Sequence, residues 1–186
     1  SENIFNSPLV IYSWDKVVEA LIAQGLATQS ADGHYYIDMA ALLAAMDSGK
    51  SYKDLGLPEL YGKLSVASTN PTKSNSGYLF SGLLADLYNG GEVPDEAALP
   101  TVLPKVKHYF ARLGYMEESS GDIFKHFIEQ GMGAKPLIAG YENQFIEVAM
   151  ENEQYRAVLK QRVRVLYPQP TVWSSHPLIA LSEKIS

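Results

Sequence analysis

The stretch "STNPTKSNSGYLFSGLL", Ser68 to Leu84, collects small hydroxyls and amides at one place in the chain. Thr69, Asn70, Ser74, Asn75 and Ser76 are neutral hydrogen-bonding residues, Gly77 follows them, and Lys73 is the one charge among them. Apolar residues at Tyr78, Leu79, Leu83, Leu84 and Leu87 have helical spacing, which predicts a helix from Ser76 to Asn89. Its first turn has N–H groups without intrahelical partners and carries the positive end of the helix dipole. Ser74 or Asn75 can cap it, and Gly77 lets a ligand approach the backbone closely. Such a terminus can hold an anion. It is equally explained as an ordinary capped helix after a polar loop.

"GYENQ", Gly140 to Gln144, repeats the arrangement. The apolar run "PLIA" ends in Gly140, and Tyr141, Glu142 and Asn143 open the next helical segment. Glu142 in a first turn suits the dipole, so capping alone accounts for it. Two strand-to-helix corners in one sheet can also face one cleft, because open α/β sheets bind ligands at the carboxyl ends of their strands.

Other chemistries find little support. A phosphate-binding loop needs Gly-x-x-x-x-Gly-Lys-Ser/Thr, and a nucleophile elbow needs Gly-x-Ser-x-Gly; neither pattern occurs here. His34, His108, His126 and His176 have no metal-ligand spacing. Glu117, Glu118 and Asp122 in "MEESSGD" read as a solvated loop, with Ser119 or Ser120 capping the following helix. Tyr35, Tyr36, Tyr78 and Tyr141 can line a cleft or pack in a core.

The elements that must position these residues follow from periodicity. "SPLVIYS", Ser7 to Ser13, reads as a buried strand, and "WDKVVEALIAQG" as a helix stopped by Gly25. "ADGHYYI" is a turn and a strand, and "DMAALLAAM" a helix capped by Asp38. "KLSVAST" reads as a strand feeding the polar stretch. "GGEVPDEAALP" is a loop, followed by two helices, the strand "AKPLIAGY", a helical stretch broken near Asn152, and the extended "RVRVLYP". Strands alternating with helices predict an α/β fold with a parallel or mixed sheet covered by helices. "NSPLVIYS" is echoed by "SHPLIALS" near the other end of the sequence, which suggests two strands side by side at one edge.

Bulk properties narrow the class. The chain has 186 residues, enough for one substantial core, with 46% hydrophobic and 19% charged residues. Its formal net charge of −6 argues against non-specific nucleic-acid binding. With no cysteine, disulfides, thiolate metal sites and cysteine nucleophiles are excluded. No apolar run approaches the roughly 18 residues of a membrane span.

The succession "PLVIYSWDKVVEAL", "GKLSVASTNPTKSNSGYLFSGLL", "KPLIAGYENQ" and "VRVLYPQPTVWSSHPLIAL" resembles the second lobe of bacterial extracellular solute-binding proteins of the type II periplasmic-binding fold. The branch it is most similar to binds phosphate, molybdate or tungstate. The resemblance implies a three-layer αβα lobe over residues 1–186, entered and left by crossover strands near 7–13 and 176–182. It also implies a non-enzymatic, extracytoplasmic domain that serves an ABC-type importer and works without a metal or cofactor. In that family a strand-loop-helix element holds an oxyanion, matched here by Pro71, Ser74, Ser76 and Gly77. The site expected on this basis comprises Thr69, Asn70, Ser74, Asn75, Ser76, Gly77, Tyr141 and Glu142. Expected partners are a small anionic solute and, for the full-length protein, membrane transporter subunits. The sequence corresponds to about half the usual molecule, so a partial lobe, with a tendency to form a homodimer, is expected. The competing expectation is an interaction or structural module of a cell-surface protein that keeps the fold and has lost the ligand.

Overall fold

A computed structural model describes residues 7–170. Among them are seven helices and one five-stranded mixed sheet, arranged as a three-layer α/β lobe. β1 (Leu9–Trp14) is buried at every one of its six positions. A strand with both faces buried belongs in the interior of a sheet. The strand order is β2-β3-β5-β1-β4, with β1 antiparallel to both β4 (Leu137–Tyr141) and β5 (Val163–Gln169). The strand expected at an edge therefore has a partner on either side. The echo segment, Pro177 to Leu181, lies outside the described residues.

α1 (Asp15–Ala23) buries Val17, Val18 and Leu21, and the chain turns at Gly25, whose φ of 75° favours glycine. β2 (Ala27–Gln29) and β3 (Tyr35–Asp38) form an antiparallel hairpin. The Ser30 N–H donates to the His34 carbonyl across 2.8 Å to close it. β3 then runs parallel to β5, with Tyr36 opposite Tyr167. Asp38 caps α2 (Met39–Asp47) by accepting from the Ala41 N–H at 3.0 Å.

α3 (Asn75–Tyr88) and α4 (Leu99–Leu113) pack against one another, with Phe80 meeting Tyr109 and Phe110. Ser119 caps α5 (Ser120–Gln130) through the Asp122 N–H. α5 covers one face of β1: the ring centroid of Phe124 lies 4.6 Å from that of Tyr12, and that of Phe127 4.7 Å from that of Trp14, both pairs tilted. Burying each such ring contributes about 1.5–3 kcal/mol. The helical stretch after β4 is broken at Asn152, as expected, into α6 (Asn143–Glu151) and α7 (Glu153–Arg162). Asn152 leaves helical geometry and accepts from the Gln154 N–H.

The structure differs from the sequence expectation at Leu64 to Ala67. These residues do not form a strand; they run extended and make one parallel bridge, Ala67 to Ile138 of β4. The Ala67 N–H donates to the Leu137 carbonyl, and the Ala139 N–H donates to that of Ala67, each at 2.9 Å. Upstream, Tyr109 intervenes: its hydroxyl accepts from the Val66 N–H and donates to the Val66 carbonyl. A side chain thus takes the ladder bonds that a neighbouring strand would have made.

Candidate functional site

The bridge at Ala67 fixes the geometry of the two polar corners. It is parallel to β4, so the loop beginning at Ser68 and the end of β4 at Tyr141 lie at the same end of the sheet. The Asn75 side-chain amide donates to the Tyr141 hydroxyl across 2.8 Å, joining the corners directly. Burial pushes the Tyr141 phenol up to about 12, while the Asn75 bond acts in the opposite direction.

Within the first corner the hydroxyls turn inward. Thr69 and Ser76 are each 1% exposed, and their hydroxyls lie 3.0 Å apart. Ser74 Oγ stands 3.0 Å from Ser76 Oγ. Ser74 occupies the N-cap position in extended geometry, yet its side chain makes no cap bond to α3. It pairs with Ser76 instead. Asn70 folds the loop: its carbonyl accepts from the Ser74 N–H at 2.9 Å, and its side chain accepts from the Thr72 N–H at 3.0 Å.

Gly77 has a different use from the one expected. A Cβ there would stand 2.5 Å from the Thr69 carbonyl oxygen and 2.8 Å from Thr69 Oγ1. The close approach that needs glycine is that of the chain's own Thr69. The eight expected site residues therefore divide. Asn75 is exposed, and Asn70, Ser74 and Glu142 are half-buried, so these four reach solvent. Thr69, Ser76, Gly77 and Tyr141 are buried and hold the corner together.

The second corner is anchored by residues that pattern reasoning did not select. The buried Tyr12 hydroxyl accepts from the Phe145 N–H at 3.2 Å and donates to the Tyr141 carbonyl at 2.5 Å. Desolvation strongly raises its pKa. Gln144 Oε1 accepts from the Tyr141 N–H at 2.9 Å, in a space that a side chain at Gly140 would invade. Ser7 accepts from the Asn143 N–H, and the Glu142 N–H donates to the Pro8 carbonyl, each at 3.2 Å. Beside them Tyr167 is pushed up to about 12, by burial first and then by the Glu142 carboxylate. Tyr36 lies 6.0 Å from the Tyr167 ring, while Tyr35 and Tyr78 pack against the core and Tyr141 is part of it.

Glu117 is also a correction. It is 9% exposed rather than solvated, with Oε1 2.5 Å from His126 Nδ1. Its backbone carbonyl accepts from the Asn70 N–H at 2.8 Å, which ties this loop to the first corner. A pairing nine residues apart across a helix start has no periodic signature.

Among the described residues no group of three or more His, Asp or Glu is arranged to hold a metal ion, and no helix is long and apolar enough to cross a membrane. The chain matches no family model, and neither the curated proteins nor the solved structures contain a match to it.

Proposed function

We propose that the chain is a lobe of an extracytoplasmic solute receptor, the substrate-binding component of an ABC-type importer, with no catalytic activity. The observation that carries this reading is the Asn75 to Tyr141 hydrogen bond. It sets the loop that leads from the Ala67 bridge into α3 beside the strand-to-helix corner at the carboxyl end of β4. The ligand is a small anionic solute, met by the Asn75 amide, by Ser74 and Asn70, and by the start of α3, which has no side-chain cap. Neutral donors and a helix end stabilise an anion without burying an opposing full charge. Thr69, Ser76 and Gly77 serve indirectly, by fixing the loop against the helix. In the full-length protein the lobe works with transporter subunits, and nucleic acid is not a partner.

A second reading is an interaction or structural module that keeps the lobe without the ligand. It is favoured by the internal pairing of Thr69, Ser74 and Ser76, which leaves few free hydroxyls at the corner. Isothermal titration with phosphate, sulfate, molybdate and small carboxylates separates the two. Saturable binding of one class supports the receptor, and no heat with any of them supports the module.

A further inference from the structure

A polar cavity of about 250 Å³ opens at the other end of β4, near Lys135 to Leu137. The fold brings three cations to its wall from three separate segments: Lys63, Arg112 and Lys135. Arg112 is paired with Asp47 at 3.2 Å. Lys63 and Lys135 have no ion-pair partner among the described residues, and Lys135 is half-buried. Cations of one sign along the wall of a polar cleft attract an anion to it. The cavity has one carboxylate, Glu117, and that group is already engaged by His126.

Two tyrosines from distant parts of the sequence line the same cavity. Tyr61 is 97% exposed and Tyr115 85% exposed. Most tyrosines here lay their rings against the core; these two stand in water beside cations. Exposed rings flanking a polar pocket supply apolar contact area that only a ligand would use. A neighbouring cavity of about 360 Å³ shares Lys63, Ser65 and Arg112 with the first, so two of the three cations stand where the two meet. On a chain of net charge −6 this is a local reversal of sign.

We infer that this cavity binds a small organic anion, its acidic group among Lys63, Lys135 and Arg112 and its flat body against Tyr61 and Tyr115. Ser65 and Ser68 line the same cavity. None of Lys63, Arg112, Lys135, Tyr61 and Tyr115 belongs to the corner at Asn75. Because Coulomb attraction to exposed lysines is screened, binding weakens as salt rises.

The probes are phenyl phosphate and benzoate, set against phenol and inorganic phosphate, and read by amide shifts of the whole chain in solution. Phenyl phosphate and benzoate are expected to shift Ser65, Ser68 and Lys135 saturably. Phenol lacks the charge and inorganic phosphate lacks the ring, so each binds at least about tenfold more weakly. The double variant Lys63→Met, Lys135→Met weakens the aromatic anions about tenfold or more, and Tyr61→Ser with Tyr115→Ser does the same. Asn75→Ala leaves these affinities unchanged, so the result stands apart from the fate of the receptor reading. Absence of saturable shifts with both aromatic anions, or affinities that survive the lysine double variant, overturns the inference.

Discussion

Asn75 and Tyr141 stand 66 residues apart in sequence and 2.8 Å apart in space, amide to phenol, at the point where two corners of the fold meet. The bond is a structural contact as well as part of the proposed site. Asn75→Ala removes one partner of a half-desolvated pair and is expected to lower unfolding free energy by about 1 kcal/mol. Tyr141→Phe is expected to cost about the same, and the double variant no more than the larger single change by much. Urea denaturation of the four proteins checks this, and full additivity would mean that the two residues do not communicate.

Gly77→Ala sets two effects against each other. Alanine gains about 1 kcal/mol of helix propensity over glycine. Its Cβ would press to 2.5 Å from the Thr69 carbonyl oxygen, which belongs to backbone and cannot swing aside. Overpacking of this kind costs about 1–3 kcal/mol. The net expectation is destabilisation, with weaker protection of the Thr69 to Ser74 amides in hydrogen exchange. A neutral or stabilising result would show that the loop retreats freely from α3.

Tyr12→Phe keeps the ring against Phe124 and deletes only the hydroxyl that anchors α6. The Phe145 N–H and Tyr141 carbonyl then lose a buried partner, at about 1–3 kcal/mol. Exchange of the α6 amides is expected to accelerate more than that of α1. α6 is the element that should respond, because Gln144 is its one buried residue.

The sequence made much of the scaffold legible. The Asp38 cap and the break at Asn152 are local features that stand where the residues predict them; β1 is found within a residue or two of its expected bounds, and of the two serines offered as the α5 cap it is Ser119 that serves. What could not be read was set by contacts across the chain. Tyr109 occupies the hydrogen bonds of Val66 and so turns an expected strand into one bridge. Ser76 looks like a donor for a ligand until Thr69 and Ser74 are seen beside it. Gly77 signalled a close approach, but the residue that approaches is 8 positions upstream in the same chain. β2 was missed because it has 3 residues and exists by pairing with β3.

The Asp15–Arg162 pair ties the start of α1 to the end of α7 at 3.1 Å. Burial works to raise the Asp15 carboxyl, but the Arg162 and Lys16 N–H bonds prevail and hold it below its ordinary value. A depressed carboxyl stabilises the fold above its unfolded pKa of about 3.9 and loses that contribution as pH falls through the folded value. The stability difference between the parent and Asp15→Asn is therefore expected to be constant near neutrality and to shrink below about pH 4. Denaturant midpoints at several pH values measure it, and a gap that widens towards acid would reverse the sign of the argument.

The central claim is that the start of α3, beside Tyr141, receives a small anion. The most direct measurement is an amide-shift titration of the chain with phosphate, sulfate, molybdate and small carboxylates, repeated on Asn75→Ala. The account predicts saturable shifts at Asn75, Ser76, Gly77 and Glu142 for one class of anion. It also predicts that Asn75→Ala weakens that binding by about 1–3 kcal/mol, as expected for losing a hydrogen bond to a charged partner. Shifts absent at these four residues for every anion, or an affinity indifferent to Asn75, would contradict it.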